Sequence, residues 1–148
     1  NPDIVTLAKG LGAGLPIGAI LCNKKTSLVF NPGDHGSTFG GNPVSCAGAI
    51  VVLDEICNNE TYASVEKKGK LVKTLLNNSS SSKIKEIRGK GLILGIEIEG
   101  SSSEVQKKAV EKGLLILTAG PNVIRLLPPL IIDEDELSDG INTLISCL

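Results

Sequence analysis

The sequence predicts an α/β fold, and two observations carry the prediction. Short apolar runs bounded by turn-forming residues indicate strands, whereas longer amphipathic stretches with capping residues indicate helices. The two patterns alternate, most regularly beyond residue 80, and 148 residues suffice for one sizeable core. Element order divides the chain into residues 1–43, a connecting helical stretch over 44–77 and a small α/β unit over 78–148.

The first part of the chain contains two predicted strands and a polar loop. Apolar runs over 4–7 and 19–22 predict short strands, separated by a stretch rich in glycine. Proline and glycine within 31–34 indicate a tight turn. A loop of Ser, Thr and Gly follows it and continues to residue 41.

Two helices are predicted next. Asn42 and Pro43 start the first, since Asn caps helices well and Pro is accepted at the first helical position. The small residues around Gly48 predict close packing there, and the helix extends to about Asn58. The second helix has an apolar stripe made of Tyr62, Val65, Val72, Leu75 and Leu76. Its opposite side is predicted to be a solvated face of Lys67, Lys68, Lys70 and Lys73.

Strands and helices alternate after the polar run 77–82. Apolar runs predict strands at 84–88, 92–99, 114–118 and 123–126. Ser101 and Glu104 have the spacing of a capping box, and Gly113 suits the position just after the end of that helix. Asp133 and Glu136 start the last helix, whose predicted buried face is Leu137, Ile141, Leu144 and Ile145.

Composition excludes several classes of function. Fifteen basic and sixteen acidic residues give a net charge of −1, so no basic field favours nucleic acid or an anionic membrane. The four cysteines form no C-x-x-C pair and His35 is the only histidine, so a zinc cluster is not predicted. No apolar run approaches the roughly 18 residues of a membrane span. Scattered cysteines fit a reducing compartment, and we expect a cytoplasmic protein.

Lys9 is the first candidate catalytic residue. It follows the predicted strand 4–7 and precedes glycines at positions 10, 12, 14 and 18, which let backbone approach a ligand closely. A lysine held in such a place can act as a nucleophile toward a carbonyl once water is excluded. From spacing alone, a solvated surface lysine is the more common outcome.

The glycine patterns do not match the common nucleotide-binding fingerprints. Gly10, Gly12 and Gly14 lack the third glycine of a dinucleotide site at its spacing, and the glycines at 89, 91 and 95 miss that spacing by one residue. Gly69 and Lys70 are followed by leucine, so no phosphate-binding Walker loop is present. We therefore assign these glycines to turns and close packing, and with them the Arg88-Gly89-Lys90-Gly91 segment.

Three motifs in order resemble the class III pyridoxal-phosphate aminotransferases. They are Lys9 with Gly-Leu-Pro-Ile-Gly-Ala at 14–19, the segment His35-Gly36-Ser37-Thr38-Phe39-Gly40-Gly41-Asn42-Pro43, and Arg125-Leu126-Leu127-Pro128-Pro129-Leu130. The similarity covers essentially the whole chain. It implies a fold-type I transferase, with the tail of the large cofactor-binding domain followed by the carboxy-terminal small domain.

The resemblance also implies roles for individual residues. Lys9 would link covalently to pyridoxal 5′-phosphate (PLP) and move a proton during catalysis. Thr38, with Ser37 as a weaker candidate, would bind the cofactor phosphate of the neighbouring subunit, which makes a homodimer necessary for a complete site. Arg125 would bind the substrate carboxylate; taken alone, an arginine in an aliphatic strand is also compatible with a structural salt bridge. His35 is expected to order its loop by hydrogen bonding.

The implied reaction is transfer of an amino group from an ω-amino donor, foremost N-acetylornithine, to 2-oxoglutarate in arginine biosynthesis. Ornithine and 4-aminobutyrate aminotransferases and a related aminomutase resemble the chain as well. The chain could instead be a protein without enzymatic activity, a catalytically inert α/β module of the same fold. The presence of Lys9, Thr38 and Arg125 together argues against that alternative.

We expect the chain to be the carboxy-terminal part of a longer protein. It contains no methionine and begins with Asn1-Pro2-Asp3 directly before a strand. In similar enzymes the acid that pairs with the pyridine nitrogen, the aromatic that stacks on the ring and a phosphate-binding turn all precede the lysine. The 148 residues alone are therefore expected to be catalytically silent.

Overall fold

A computed structural model describes all 148 residues, which form two compact units. Unit 1 comprises Asn1–Asn58 and unit 2 comprises Asn59–Leu148. The boundary falls between the two helices of the predicted connecting stretch 44–77. The assignment of 1–43, 44–77 and 78–148 to domains of an enzyme stays a prediction.

Unit 1 is built on two short strands and one long helix. Strands β1 (Ile4–Leu7) and β2 (Ala19–Cys22) pair antiparallel, so both predicted strands are confirmed at their predicted bounds. A 3₁₀ turn, Lys9–Gly12, follows β1. Helix α1 (Lys24–Ser27) is a single turn, and α2 (Pro43–Ile56) is the long helix.

The long helix of unit 1 packs against the glycine-rich segment. A Cβ placed on Gly48 would lie 2.9 Å from Leu15 Cδ1 and 3.5 Å from the Gly12 carbonyl oxygen. Helix α2 therefore packs closely on the glycine-rich segment at Gly48, as predicted, and a larger residue there would require the Leu15 side chain to move. Ala49, on the same helix, is buried.

Unit 2 is a four-stranded antiparallel sheet with helices. Its strands are β3 (Ile84–Lys90), β4 (Ile93–Ile98), β5 (Leu117–Thr118) and β6 (Val123–Leu126), in the spatial order β3-β4-β6-β5. Its helices are α3 (Asn59–Asn77), α4 (Ser102–Glu111) and α5 (Glu134–Ile145). None of the helices in the protein is both long enough and apolar enough to cross a membrane.

The core of unit 2 is aliphatic and lies on one face of the sheet. Strand β4 buries Leu94, Ile96 and Ile98, in the period-2 pattern of a strand with one solvated face. From α5, the predicted residues Leu137, Ile141 and Leu144 are buried in the same cluster, whereas Ile145 is partly buried.

The helix caps predicted in unit 2 are present. The Ser101 side chain accepts a hydrogen bond from the Glu104 backbone N–H, and Asp133 accepts one from the Glu136 N–H at 2.8 Å. Gly113 has φ of +78°, and the bond from Leu114 N–H to the Ala109 carbonyl closes the end of α4.

Three predictions for this unit are wrong. The predicted strand 114–118 contributes only Leu117–Thr118, because 114–116 instead follow the end of α4, where the Gln106 side chain donates to the Ile116 carbonyl at 2.8 Å. Tyr62 is 55% exposed, so it does not extend the buried stripe. Lys68 is only 8% exposed, and its ammonium donates to the Leu130 carbonyl at 3.2 Å.

Candidate active site

Lys9 lies directly after β1, where the chain turns sharply. Its φ is +53°, in the left-handed region that residues with a side chain rarely adopt, and only Ala13 among the other non-glycine residues shares a positive φ. The backbone is held by hydrogen bonds from Leu11 N–H to the Ala8 carbonyl and from Ala13 N–H to the Gly10 carbonyl. The Lys9 side chain is exposed and forms no ion pair, so its amine is available to a ligand.

The Ser-Thr loop leads into the start of α2 and is internally ordered. Ser37 Oγ accepts a hydrogen bond from the Gly40 N–H at 3.1 Å. Asn42 caps α2 by accepting from the Ser45 N–H at 2.9 Å, and its side-chain amide donates to the Phe39 carbonyl at 3.0 Å. Thr38 is exposed between these bonds, and its hydroxyl takes part in none of them. Ser37 thus shapes the loop, whereas the Thr38 hydroxyl remains available.

His35 orders this loop by a different contact from the one expected. Its ring packs on Phe30 with centroids 5.2 Å apart and planes tilted by 57°. The predicted hydrogen bond is therefore replaced by an aromatic contact.

A cleft of about 430 Å³ in unit 1 brings the loop close to the glycine-rich segment. Pro16, Ile17 and Gly18 line one side, and Ser37, Phe39, Gly40, Gly41 and Asn42 line the other. The structure therefore brings Ser37 together with the Gly-Leu-Pro-Ile-Gly motif. Lys9 and Thr38 are not among the residues lining this cleft.

Arg125 lies in β6 on the face of the sheet that points away from the core. Its neighbour Ile124 is fully buried, and alternation along the strand places Arg125 on the opposite face. It stands opposite Gly95 of β4 and Leu117 of β5. The side chain is exposed and has no ion pair or hydrogen bond, so the salt bridge that the sequence left open is not formed.

Arg88 also lies on this face, in β3, as the predicted strand 84–88 implied, whereas the turn predicted for 88–91 begins only after Lys90. Its Nη1 donates to Glu86 Oε2 at 2.7 Å and to Glu97 Oε2 at 2.9 Å. The hydrogen bond that Arg88 donates to Glu97 and the nearby charge of Glu86 raise the pKa of the Arg88 guanidinium. The alternating charges of β3, placed opposite an acid in β4, are the signal that could have predicted this network.

The residues implied by the motifs thus divide between the two units. Lys9, Ser37 and Thr38 belong to unit 1, and Arg125 belongs to unit 2. Unit 1 presents an exposed amine and an exposed hydroxyl, and unit 2 presents an exposed guanidinium. The amine and the hydroxyl of unit 1 are groups that fit the aldehyde and the phosphate of PLP.

Solved structures of aminotransferases match this fold along the chain. N-acetylornithine aminotransferase from Stenotrophomonas maltophilia superposes with a TM-score of 0.87 at 35% identity, covering 99% of this chain and 39% of that one. An ornithine aminotransferase from Toxoplasma gondii, in which PLP partly occupies the active site, superposes with a TM-score of 0.88 at 35% identity. The match covers 99% of this chain and 36% of that one. The fold is therefore that of the matching part of these aminotransferases.

The sequence identifies the family. The family model "Aminotransferase class-III" matches residues 1–148. Acetylornithine aminotransferase from Caldanaerobacter subterraneus subsp. tengcongensis is 49% identical over 146 residues, covering 97% of this chain and 37% of that protein. The chain belongs to the class-III aminotransferases, a PLP-dependent family. The predicted family, α/β fold and cofactor are confirmed, and the chain spans about a third of the length of its curated relatives.

Proposed function

We propose that this chain is part of an enzyme that transfers the amino group of N-acetylornithine to 2-oxoglutarate, in the cytoplasm and in arginine biosynthesis. Support comes from curated relatives named acetylornithine aminotransferase, which are 41–49% identical over nearly the whole chain. Ornithine is the alternative donor, since several of the similar structures are ornithine aminotransferases.

Lys9 is the proposed catalytic residue, and its unpaired amine on a constrained turn is the observation that carries the proposal. When bound, PLP would supply an electron sink for negative charge that develops at the amine-bearing carbon of the substrate. Lys9 Nζ would hold the cofactor covalently and, once freed by the substrate amine, would move the proton between that carbon and the cofactor. The hydrogen-bonded 3₁₀ turn fixes the backbone from which this side chain extends.

Thr38 and Ser37 are the proposed phosphate ligands. The Thr38 hydroxyl is not used inside its loop, whereas Ser37 Oγ accepts from the Gly40 N–H and is therefore the weaker ligand. A loop that holds a free hydroxyl next to the start of α2 suits an anion. We propose that Thr38 binds the phosphate in the neighbouring subunit of a homodimer.

Arg125 is the proposed ligand of the substrate carboxylate. A guanidinium binds a carboxylate through two parallel hydrogen bonds, and this one has no competing partner in unit 2. Because the upstream cofactor contacts of similar enzymes lie outside these residues, we propose that the 148 residues alone do not catalyse transamination.

The proposal is tested on the holoenzyme by borohydride reduction with PLP and peptide mass mapping. We expect a phosphopyridoxyl adduct on Lys9 and none on Lys24 or Lys25, which serve as exposed controls in the same unit. Lys9→Ala should lose both the adduct and turnover. A wild-type protein that is folded but carries no adduct at Lys9 would favour the inert module. The ratio of kcat/KM for N-acetylornithine over ornithine then decides the donor.

A further inference from the structure

Asn42 connects the Ser-Thr loop (residues 35–41) to helix α2 through its side-chain amide. Its Oδ1 accepts a hydrogen bond from the Ser45 N–H at 2.9 Å, which caps the helix. Its Nδ2 donates to the Phe39 carbonyl at 3.0 Å and to Ser45 Oγ at 3.1 Å. The Asn42 backbone N–H donates to the same Phe39 carbonyl at 3.3 Å. One residue therefore holds both the helix start and the end of the loop.

Ser45 gives this connection a fixed end, because it is only 3% exposed. Ala49, one turn further along α2, is buried as well. Between them, Gly48 packs closely against Leu15 of the glycine-rich segment. The first turns of α2 are thus held by the packing of unit 1, and the Asn42 amide is bound to a part of the helix that has little freedom to move.

Hydrogen bonds hold the residues on both sides of Thr38. Before it, Ser37 Oγ accepts from the Gly40 N–H at 3.1 Å, and after it, the Phe39 carbonyl accepts from Asn42. The Ser37 bond lies within the loop and gives the loop its shape. The Asn42 bonds join the loop to α2, so the position of Thr38 relative to the helix start depends on Asn42. Asn42 and Ser37 also line the same cleft of about 430 Å³.

We propose that Asn42 is a positioning residue for the cofactor phosphate, whose side-chain amide holds the Phe39 carbonyl and thereby places the Thr38 hydroxyl beside the start of α2. The inference rests on the proposed function, since it takes Thr38 as a phosphate ligand. A carboxamide suits the task because it accepts and donates at the same time, whereas a carboxylate only accepts. Without the amide nitrogen, the helix stays capped but the loop, and Thr38 with it, is held less firmly where an anion is favoured.

The test compares PLP with pyridoxal, which has the same aldehyde but no phosphate, in binding to the apoenzyme of the full-length protein. Absorbance titration gives the Kd for each compound. In Asn42→Ser the hydroxyl keeps a neutral acceptor for the Ser45 N–H, so the Tm of the apoenzyme should stay near that of the wild type. The Kd for PLP should rise about three- to tenfold, the size of one hydrogen bond, while the Kd for pyridoxal stays unchanged.

Two further variants separate the lost bond from charge and from a general effect of changing a helix cap. Asn42→Asp keeps the shape and the acceptor but not the donor. It should raise the Kd for PLP at least as much as Asn42→Ser, because its charge also opposes the phosphate. Asn23→Ser is the matched control in the same unit: Asn23 caps α1 and its amide donates to Asp3, so both Kd values should equal those of the wild type.

Several outcomes would overturn the inference. A Kd for PLP raised in Asn42→Asp but not in Asn42→Ser would mean that only charge matters. Equal increases for PLP and pyridoxal would mean that Asn42 supports the site as a whole and not the phosphate. Thr38→Val distinguishes failure of the proposed function: an unchanged ratio of the two Kd values in that variant removes Thr38 from the phosphate. A ratio changed by Thr38→Val but not by Asn42→Ser refutes the positioning role alone.

Discussion

Lys9 combines a reactive side chain with a constrained backbone. A non-glycine residue in the left-handed region costs about 1–3 kcal/mol and persists only where surrounding structure holds it. Here the residue is the first of the 3₁₀ turn that follows β1, and Ala13, the other such residue, ends the same turn. Since strain of this kind accumulates at functional sites, the backbone supports the same role that the motif implies.

Gly69 shows how closely two backbones can approach inside unit 2. A Cβ at this position would lie 2.3 Å from the Gly91 carbonyl oxygen, in the turn between β3 and β4. No side-chain rotation can relieve that contact, because the facing atom belongs to the backbone. Gly69 is therefore required where α3 crosses the turn.

Gly69→Ala should lower the free energy of unfolding by about 1–3 kcal/mol, because α3 must move off the turn. Gly140→Ala is the matched control in another helix of the same unit, since its added Cβ would meet only Leu114 Cδ1 at an ordinary 3.6 Å. That control should gain up to about 1 kcal/mol from helix propensity. Urea denaturation of both variants measures the difference, and equal effects would contradict the packing argument.

Helix α5 illustrates how an element starts. Asp133 accepts the Glu136 N–H, and the first turn contains Glu134, Asp135 and Glu136, which suit the positive end of the helix dipole. Glu134 also pairs with Lys67 of α3 at 2.6 Å, in an exposed contact of small energetic value. The cap is therefore the main local device that fixes this end of the helix.

Asp133→Ala should destabilise the protein by about 1 kcal/mol, because the first turn loses a side-chain acceptor. Asp133→Asn keeps an acceptor at the same position and should stay close to the wild type. Thermal unfolding of the pair measures the effect. A loss of stability in the Asn variant as large as in the Ala variant would show that charge, and not the capping bond, stabilises the helix.

The two units differ in how much apolar surface they bury. Every member of the hydrophobic core cluster, from Val72 to Cys147, belongs to unit 2. Unit 1 has only a two-stranded sheet, and Ile20 and Leu21 of β2 remain more than half exposed. A two-stranded sheet is only marginally stable by itself, so we expect unit 1 to be less stable than unit 2.

Hydrogen exchange of the chain should follow this difference. The amides of β4 pair on both sides and border the core, so they should exchange slowest. The amides of β1 and β2 should exchange faster, because local opening of a two-stranded sheet exposes little apolar surface. Mass spectrometry of peptic peptides resolves these strands, and equal protection of β1 and β4 would refute the prediction.

By itself the sequence determined the local features: both strands of unit 1, the caps at Asn42, Ser101 and Asp133, and the motif around Lys9. These features follow from the periodicity of apolar residues and from contacts between residues a few positions apart, and both can be predicted from the sequence. Only the tertiary structure decided that Lys68 is buried, that 114–116 lie outside the sheet and that Arg88 pairs with both Glu86 and Glu97. Those outcomes depend on strand register and on which helix covers which face, and both join residues that are distant along the chain.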